Sequence, residues 1–443
     1  MPRARALCKI PIIADEVASH IPLKPHVVIV GAGFGGLEAA KKLACEDVAV
    51  TVIDRTNYHL FQPLLYQVAS AALSPSDIAA PIRAVLSKGR NIEVALAEVR
   101  AIDVQAKKVE TSDGSELAYD FLILATGARH SYFGHDEWEK LAPGLKSLED
   151  AIEVRRRLLM AFEYAERITD EAARKAAMTF VIIGGGPTGV EMAGAIAEIA
   201  RYTLAKDFRH IDPSQARIIL VEGEPRLLAA FPEDLSAKAL KQLVDLGVEV
   251  HLGVHATNLT EDGLQVGDKF IPCRVKIWAA GNNASALGRT LGAPVDRVGR
   301  ILVNSDLTIP NHPEVQVIGD LANFSHQTGH PLPGVSPVAM QQGRHAARNI
   351  LSMLRGGKPQ RFHYFDKGSM ATIGRHKAVA DLRFLHLSGL LAWLAWLFVH
   401  LIFLVGFRSR LAVLFQWAWA YFSFDKGARL ITRNFQSEQR PPA

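Results

Sequence analysis

Two glycine runs in this chain have the spacing needed to hold the pyrophosphate of a dinucleotide. The first is Gly31-Ala32-Gly33-Phe34-Gly35-Gly36, which follows the β-branched run HVVIV and precedes LEAAKKLA, where apolar residues recur at helical intervals. A second apolar run, VAVTVI, ends at Asp54. Each position has a physical task. Gly31 makes the tight turn, Gly33 lets the ligand approach the backbone, and Gly36 lets the helix pack close to the strand. The helix N-terminus stabilises phosphate charge, and Asp54 would accept hydrogen bonds from ribose hydroxyls. The pattern recurs at TFVII, Gly184-Gly185-Gly186-Pro187-Thr188-Gly189, VEMAGAIAEIA and ARIILVE, which ends at Glu222. An acid there pairs with a free 2′-hydroxyl and repels a 2′-phosphate, so NADH is favoured over NADPH, although Arg226 lies near enough to oppose that preference. One such motif is a weak signal, because a glycine-rich turn needs no ligand. Two, each in a strand–turn–helix–strand setting with its acid, are a strong one. They imply one dinucleotide retained and one exchanged: non-covalent FAD at the first motif and NADH at the second.

These motifs require buried parallel strands around them, and the sequence supplies candidates. Residues 119–128 (YDFLILATGA) read as a strand ending in Ala125-Thr126-Gly127, and VKIWAAG repeats the pattern up to Ala280 and Gly281. VQVIGDLA ends at Gly319-Asp320, where Asp320 could accept hydrogen bonds from ribityl hydroxyls, cap a helix over LANF, or do both. The expected fold is α/β with two Rossmann-like dinucleotide-binding domains, the FAD domain split around the NADH domain, followed by C-terminal amphipathic membrane-anchoring helices. The expected boundaries are an N-terminal extension at 1–25, the FAD domain at 26–145 and 295–383, the NADH domain at 146–294 and the anchoring region at 384–443.

At 443 residues the chain exceeds one compact core, and 49% apolar with 21% charged residues is a globular composition. The net charge of +5 and isoelectric point near 9.0 come without a Lys/Arg run or a nucleic-acid motif, so nucleic acid is not an expected partner. Cys8, Cys45 and Cys273 are scattered and show no metal spacing or CxxC pair; Cys45 is expected to be packed on the first helix. The segment GLLAWLAWLFVHLIFLVGF carries one ionisable residue, His400, and is followed by Arg408, Arg410 and LAVLFQWAWAYFSF, with Lys426, Arg429 and Arg433 beyond. Tryptophans flanked by basic residues suit a membrane interface and attraction to anionic lipid better than a single spanning helix.

The stretches HVVIVGAGFGGLEAA, YHLFQPLLYQVAS, VIIGGGPTGVEMAGAIAE, VIGDLA, VAMQQGRHAARNI and DKGSMATIGRHKAV resemble the type II NADH:quinone oxidoreductases, non-pumping members of the two-dinucleotide-binding flavoproteins. The resemblance runs from His26 to about Arg433. It implies FAD-dependent oxidation of NADH, with two electrons passed to a membrane ubiquinone or menaquinone for the respiratory chain. It also implies monotopic attachment to the cytoplasmic face of the cell inner membrane, and a homodimer as a family expectation. It gives Glu191 a part in proton handling or cofactor placement, where the bland alternative is an acid stabilised by a helix N-terminus. The family's AQxAxQ motif aligns with Ser336-Pro337-Val338-Ala339-Met340-Gln341, in which Ala339 and Gln341 match and Pro337 replaces an amide. The resemblance thus marks Gln341, Ala339, Gln342 and Gln62 for the quinone, the alternative for Gln341 and Gln342 being solvated amides on a helix surface. Lys367 and Lys377 lie in a family-like stretch without an assigned role. Sulfide:quinone and ferredoxin reductases, or a non-catalytic nucleotide sensor, could share the glycine motifs. The sulfide enzyme needs cysteines beside the flavin, and a soluble reductase or sensor has no use for the apolar tail.

Overall fold

The computed structural model describes residues 24–423 and 426–431; most of the N-terminal extension, Cys8 and Arg433 lie outside them. Two parallel sheets organise the chain. The first has the order Thr308–Ile309, His312–Val317, Phe121–Leu124, His26–Val30, Ala49–Asp54, Ile92–Leu96, all parallel except the short Thr308–Ile309. The second has the order Val248–Leu252, Arg217–Glu222, Thr179–Ile183, Val275–Trp278, and is wholly parallel. Strands buried on both faces must be apolar throughout, and Val27, Val28, Ile29, Phe180, Val181 and Ile182 are all fully buried.

In both sheets the first strand in sequence lies between the second strand and a later one, so connections leave it in opposite directions. The glycine turn therefore opens into the crevice at the carboxyl ends of the strands, where ligands bind in such folds. The first sheet takes His312–Val317 from beyond the second sheet, as a split first domain requires. A two-stranded antiparallel ladder, Ala128–His130 with Asn282–Ala284, joins the segments that leave and re-enter the first domain.

Helix packing rests on small residues. The helix Ser336–Leu354 crosses the first glycine helix, Phe34–Leu43, so closely that a side chain on Gly343 would collide with the Gly35 carbonyl. The second glycine helix, Pro187–Glu198, lies against the strand Ser369–Gly374, where a side chain on Gly194 would collide with the Ile373 carbonyl. Cys45 is not packed on the first helix. The helix ends at Leu43, because the Asn91 side chain donates to Leu43 O and accepts from Cys45 N, and Cys45 is left exposed.

The third unit is an antiparallel sheet, Ser369–Gly374, Lys377–Asp381 and His386–Ser388, followed by the helices Leu390–Phe403 and Phe407–Ser423. At 14 and 17 residues the helices span roughly 21 and 26 Å, short of the roughly 30 Å of a bilayer core. No described helix is long and apolar enough to cross a membrane. Trp396, Leu404 and Val413 point inward and join the core that holds the second glycine helix. The opposite faces are also apolar: Leu391, Leu394 and Phe398 on one helix and Leu411, Phe415 and Trp419 on the other are exposed.

Candidate functional site

The two glycine turns are built alike. In the first, a side chain on Gly31 would lie 2.5 Å from Ala125 O and one on Gly36 would run into Gly31 O, while the space over Gly33 is open. In the second, Gly184 abuts Ala279, Gly189 abuts Gly184 O, and the space over Gly186 is open. The outer glycines are thus required by the chain itself, and the middle one leaves room for a ligand at the helix N-terminus. Each acid also braces its turn. Asp54 accepts from Ala32 N at 2.7 Å and from Thr56 N and Oγ1 at 2.8 Å. Glu222 accepts from Gly185 N and, at 2.8 Å, from Glu224 N. Arg226, near in sequence, is turned elsewhere: its guanidinium donates to Phe231 O and Ala229 O, both at 2.7 Å.

At the carboxyl end of the first sheet, Ala125 and Thr126 face the Gly31 turn, and Thr126 Oγ1 is buried without a hydrogen-bond partner among the described residues. Asp320 lies in a short 3₁₀ turn, Gly319–Leu321, whose N-cap is Ile318, so it sits inside the turn and does not cap it. It lines a cleft with Gly319, Gln342, Asn282, Asn283 and Arg300. Burial raises the Asp320 carboxyl above its ordinary value, opposed by Lys146 and Arg300. Lys146 is itself pushed down by burial and held up by Asp320 and Asp150. An open glycine cradle, a buried hydroxyl without a partner among the described residues and a carboxyl lining a cleft fit a dinucleotide with hydroxyl groups to bind.

Glu191 lies one turn into the second glycine helix, beside the Ser369–Gly374 strand. Its carboxyl is enclosed, and desolvation pushes its pKa well above the usual carboxylate range, against the Thr372 backbone amide. Ala280 and Gly281 follow the strand Val275–Trp278 and lie at the ladder between domains, where the Phe133 ring covers Gly281.

The glutamines are less free than solvated amides would be. Gln341 makes a two-way contact with the Phe365 backbone, Nε2 to O at 2.9 Å and Oε1 from N at 3.0 Å. Gln342 is buried and accepts from Gly319 N at 2.7 Å. Ala339 is buried next to Gly319 and Gly35. Pro337 occupies the first turn of its helix, where a missing N–H costs nothing. Gln62 is exposed at the start of a 3₁₀ turn, after Phe61, whose ring meets His400 edge-on at 6.2 Å. Of the two lysines left unassigned, Lys367 lies over the Phe403 ring at 5.9 Å and Lys377 faces Asp245.

Other groups at the site are not evident from the sequence. His59 is buried, donates Nδ1–H to Ala32 O at 2.9 Å, and burial lowers its pKa. Tyr66 and Gln67 in the FQPLLYQVAS segment are buried and bonded to each other at 2.8 Å. Lys146 precedes a Ser-x-x-Asp capping box at Ser147 and Asp150, a signal that locates the helix start but not the lysine's partner.

The family model described as pyridine nucleotide-disulphide oxidoreductase matches residues 25–343, and a model described as NDH2 C-terminal domain matches residues 366–423. The chain is 46% identical over 427 residues to the type II NADH:quinone oxidoreductase NdhA of Mycobacterium tuberculosis, covering 92% of this chain and 89% of that protein. The structure of NDH2 from Plasmodium falciparum in complex with NADH superposes with a TM-score of 0.84 at 20% identity, over 93% of this chain and 100% of that one. The sulfide:quinone oxidoreductase of Aquifex aeolicus shares the fold less closely, with a TM-score of 0.69 at 19% identity over 93% and 94%.

Proposed function

The chain belongs to the pyridine nucleotide-disulphide oxidoreductase family and, within it, to the type II NADH:quinone oxidoreductases, and from that premise we propose that it oxidises NADH and reduces a membrane quinone. The observation that carries this reading is the pair of braced glycine turns, each open over its middle glycine, combined with a C-terminal unit that matches the NDH2 C-terminal domain. FAD, when bound, accepts hydride from NADH and gives two electrons to quinone. The first turn, with Asp54, Thr126 and Asp320, holds the flavin dinucleotide. The second, with Glu222, Ala280 and Gly281, holds NADH. The domain limits follow the same division, 26–145 and 295–383 around 146–294.

Within that division the residues take distinct parts. Glu191, whose carboxyl is pushed toward its neutral form by desolvation, handles protons beside the cofactors. Gln342, bonded to Gly319 and lining the Asp320 cleft, serves the flavin side. Gln341 uses one of its two N–H groups on Phe365 and keeps the other for a quinone carbonyl, with Ala339 beneath it and Gln62 at the outer edge. The acceptor is ubiquinone or menaquinone, the enzyme does not pump protons, and it works as a homodimer on the cytoplasmic face of the inner membrane, held to anionic lipid by the exposed apolar faces and the nearby Arg408 and Arg410. A sulfide reductase gains no support from the two described cysteines, because Cys45 is exposed past the first helix and the buried Cys273 thiol is pushed up to about 11.

The test is turnover of purified, FAD-loaded protein with NADH and a short-chain quinone. Steady quinol formation with one NADH consumed per quinone is expected. FAD-replete protein that fails to turn over would overturn the reading.

A further inference from the structure

The second sheet fixes which way a dinucleotide lies across it. In its strand order, Thr179–Ile183 stands between Arg217–Glu222 and Val275–Trp278. The glycine turn after Thr179–Ile183 therefore has Glu222 on one side and the end of Val275–Trp278 on the other. A pyrophosphate on the turn with its adenosine ribose on Glu222 sends the other half of the molecule, the nicotinamide riboside, over Ala279, Ala280 and Gly281. These residues close on the turn: a side chain on Gly184 would lie 2.6 Å from the Ala279 carbonyl carbon and 2.7 Å from Ala280 N. The same side leads to the first domain, through the ladder of Ala128–His130 with Asn282–Ala284.

One aromatic side chain stands over this end. Phe133 is 68% exposed, so its ring contributes little to the core. Its φ of 53° lies in the left-handed region, which strains a bulky residue. The backbone beside it is held from several directions. Ser131 O accepts from the Trp278 indole at 2.9 Å, Ser131 N donates to Gly281 O at 3.4 Å, and the Tyr132 hydroxyl donates to Ala142 O at 3.0 Å. The rings of Tyr132 and Trp138 pack on Trp278 at 5.0 and 5.7 Å between centroids. Phe133 does not follow Tyr132 into that cluster. Its ring lies on Gly281, so close that a side chain there would meet Phe133 Cζ at 2.6 Å. Strain that the surroundings impose on a residue gathers where ligands are clamped, and here it presents an apolar ring, firmly mounted, at the strand end beside the glycine turn.

We propose that Phe133 is a substrate-binding residue whose ring packs against the nicotinamide riboside of NADH, the half of the molecule that Glu222 does not reach. On binding, the ring gains the burial that the fold does not give it, and the nicotinamide end is held beside the ladder that leads to the flavin domain. Phe133 thereby separates NADH from nucleotides that carry only the adenosine half. The inference rests on the reading of the second glycine turn as the NADH site.

The experiment uses the full-length FAD-loaded enzyme and the variants Phe133→Asn, Phe133→Tyr and Glu222→Ala. Asparagine accepts the left-handed backbone and removes the ring, whereas tyrosine keeps it. In Phe133→Asn the KM for NADH and the dissociation constant for NAD+, measured by titration, should both rise about tenfold, with the KM for a short-chain quinone unmoved. Phe133→Tyr should restore most of the affinity. ADP, which lacks the nicotinamide riboside, is the control probe, and its inhibition constant against NADH should be the same in Phe133→Asn as in the parent. FAD content and melting temperature report on the fold separately. Unchanged NADH and NAD+ affinities in Phe133→Asn, or a loss of ADP affinity as large as that of NADH, would overturn the role of Phe133. Glu222→Ala should weaken ADP and NADH together. If it weakens neither, the second turn is not the site and the premise fails; if it weakens both while Phe133→Asn spares NADH, only the role of Phe133 fails.

Discussion

At the scale of single residues, the two acids at the strand ends, proposed to recognise a sugar, also brace their own turns. Asp54 and Glu222 each spend lone pairs on the backbone of their own turn. Removing Glu222 therefore loosens the second glycine turn as well as the proposed ribose contact, and leaves the Gly185 and Glu224 amides without their acceptor. A change of nucleotide preference also needs a cation that is free to move. Arg226 is held by two carbonyls, and position 223 is blocked because a side chain there would strike the His255 ring. Glu224 is exposed and next in line. The double variant Glu222→Ala, Glu224→Arg should raise the ratio of kcat/KM for NADPH over NADH on the order of tenfold or more, mainly through KM. Glu222→Ala alone should lower activity with NADH without conferring use of NADPH. Steady-state kinetics with both nucleotides checks this, and an unchanged ratio in the double variant would remove Glu222 from the ribose.

At the scale of elements, the helix Leu390–Phe403 is docked by an uncharged histidine. His400 stacks on Trp396 at 4.1 Å, donates Nδ1–H to Trp396 O at 2.7 Å, and faces Phe61. Burial among these groups pushes its pKa down to about 4. A base whose folded pKa is depressed contributes stability that is full above its unfolded pKa, near 6.5, and is lost as pH falls toward 4. The docked helix should therefore loosen between about pH 6.5 and 4, seen as a change in tryptophan fluorescence. His400→Leu should flatten that change; an equal change in the variant would place the acid sensitivity elsewhere. The sequence announced this helix by its apolar run but not its docking. What could be read directly was what backbone sterics dictate: the glycine turns and the acids at the ends of the following strands, whose residue types the turn itself requires. The partners that define Gln341, Gln342, Tyr66 and Lys146 are set by folding. Gln341 meets Phe365 and Gln342 meets Gly319, 24 and 23 residues away, and Trp417 meets Gln67 across 350. Cys45 was misplaced for the same reason, since Asn91, 46 residues on, ends its helix.

At the scale of the whole molecule, the C-terminal helices are apolar on two sides, and the two sides face different solvents. The inner side completes a core shared with Tyr66, Met192 and Ile196 of the nucleotide-binding region. The outer side leaves Leu391, Phe398, Phe415 and Trp419 each more than 60% exposed, in two helices joined through residues 404–406, with Arg408 and Arg410 in the first turn of the second. Water does not favour so much contiguous apolar surface, whereas the interface of an anionic bilayer does, through burial and basic attraction together. Deleting residues 384–443 would test attachment poorly, because it also strips the cover from Tyr66 and Gln67. Charges placed only on the outer side separate the two roles. The variant Leu391→Glu, Phe398→Glu, Phe415→Glu should fold, keep FAD and retain NADH oxidation with ferricyanide, since these side chains lie on the exposed side. It should fall at least about tenfold in binding to anionic vesicles, as each lost apolar anchor removes about 1.5–3 kcal/mol of burial, and lose long-chain quinone reduction in those vesicles. If it still sediments with anionic vesicles as the parent does, this face is not the attachment surface, and the quinone must reach the flavin by another side of the molecule.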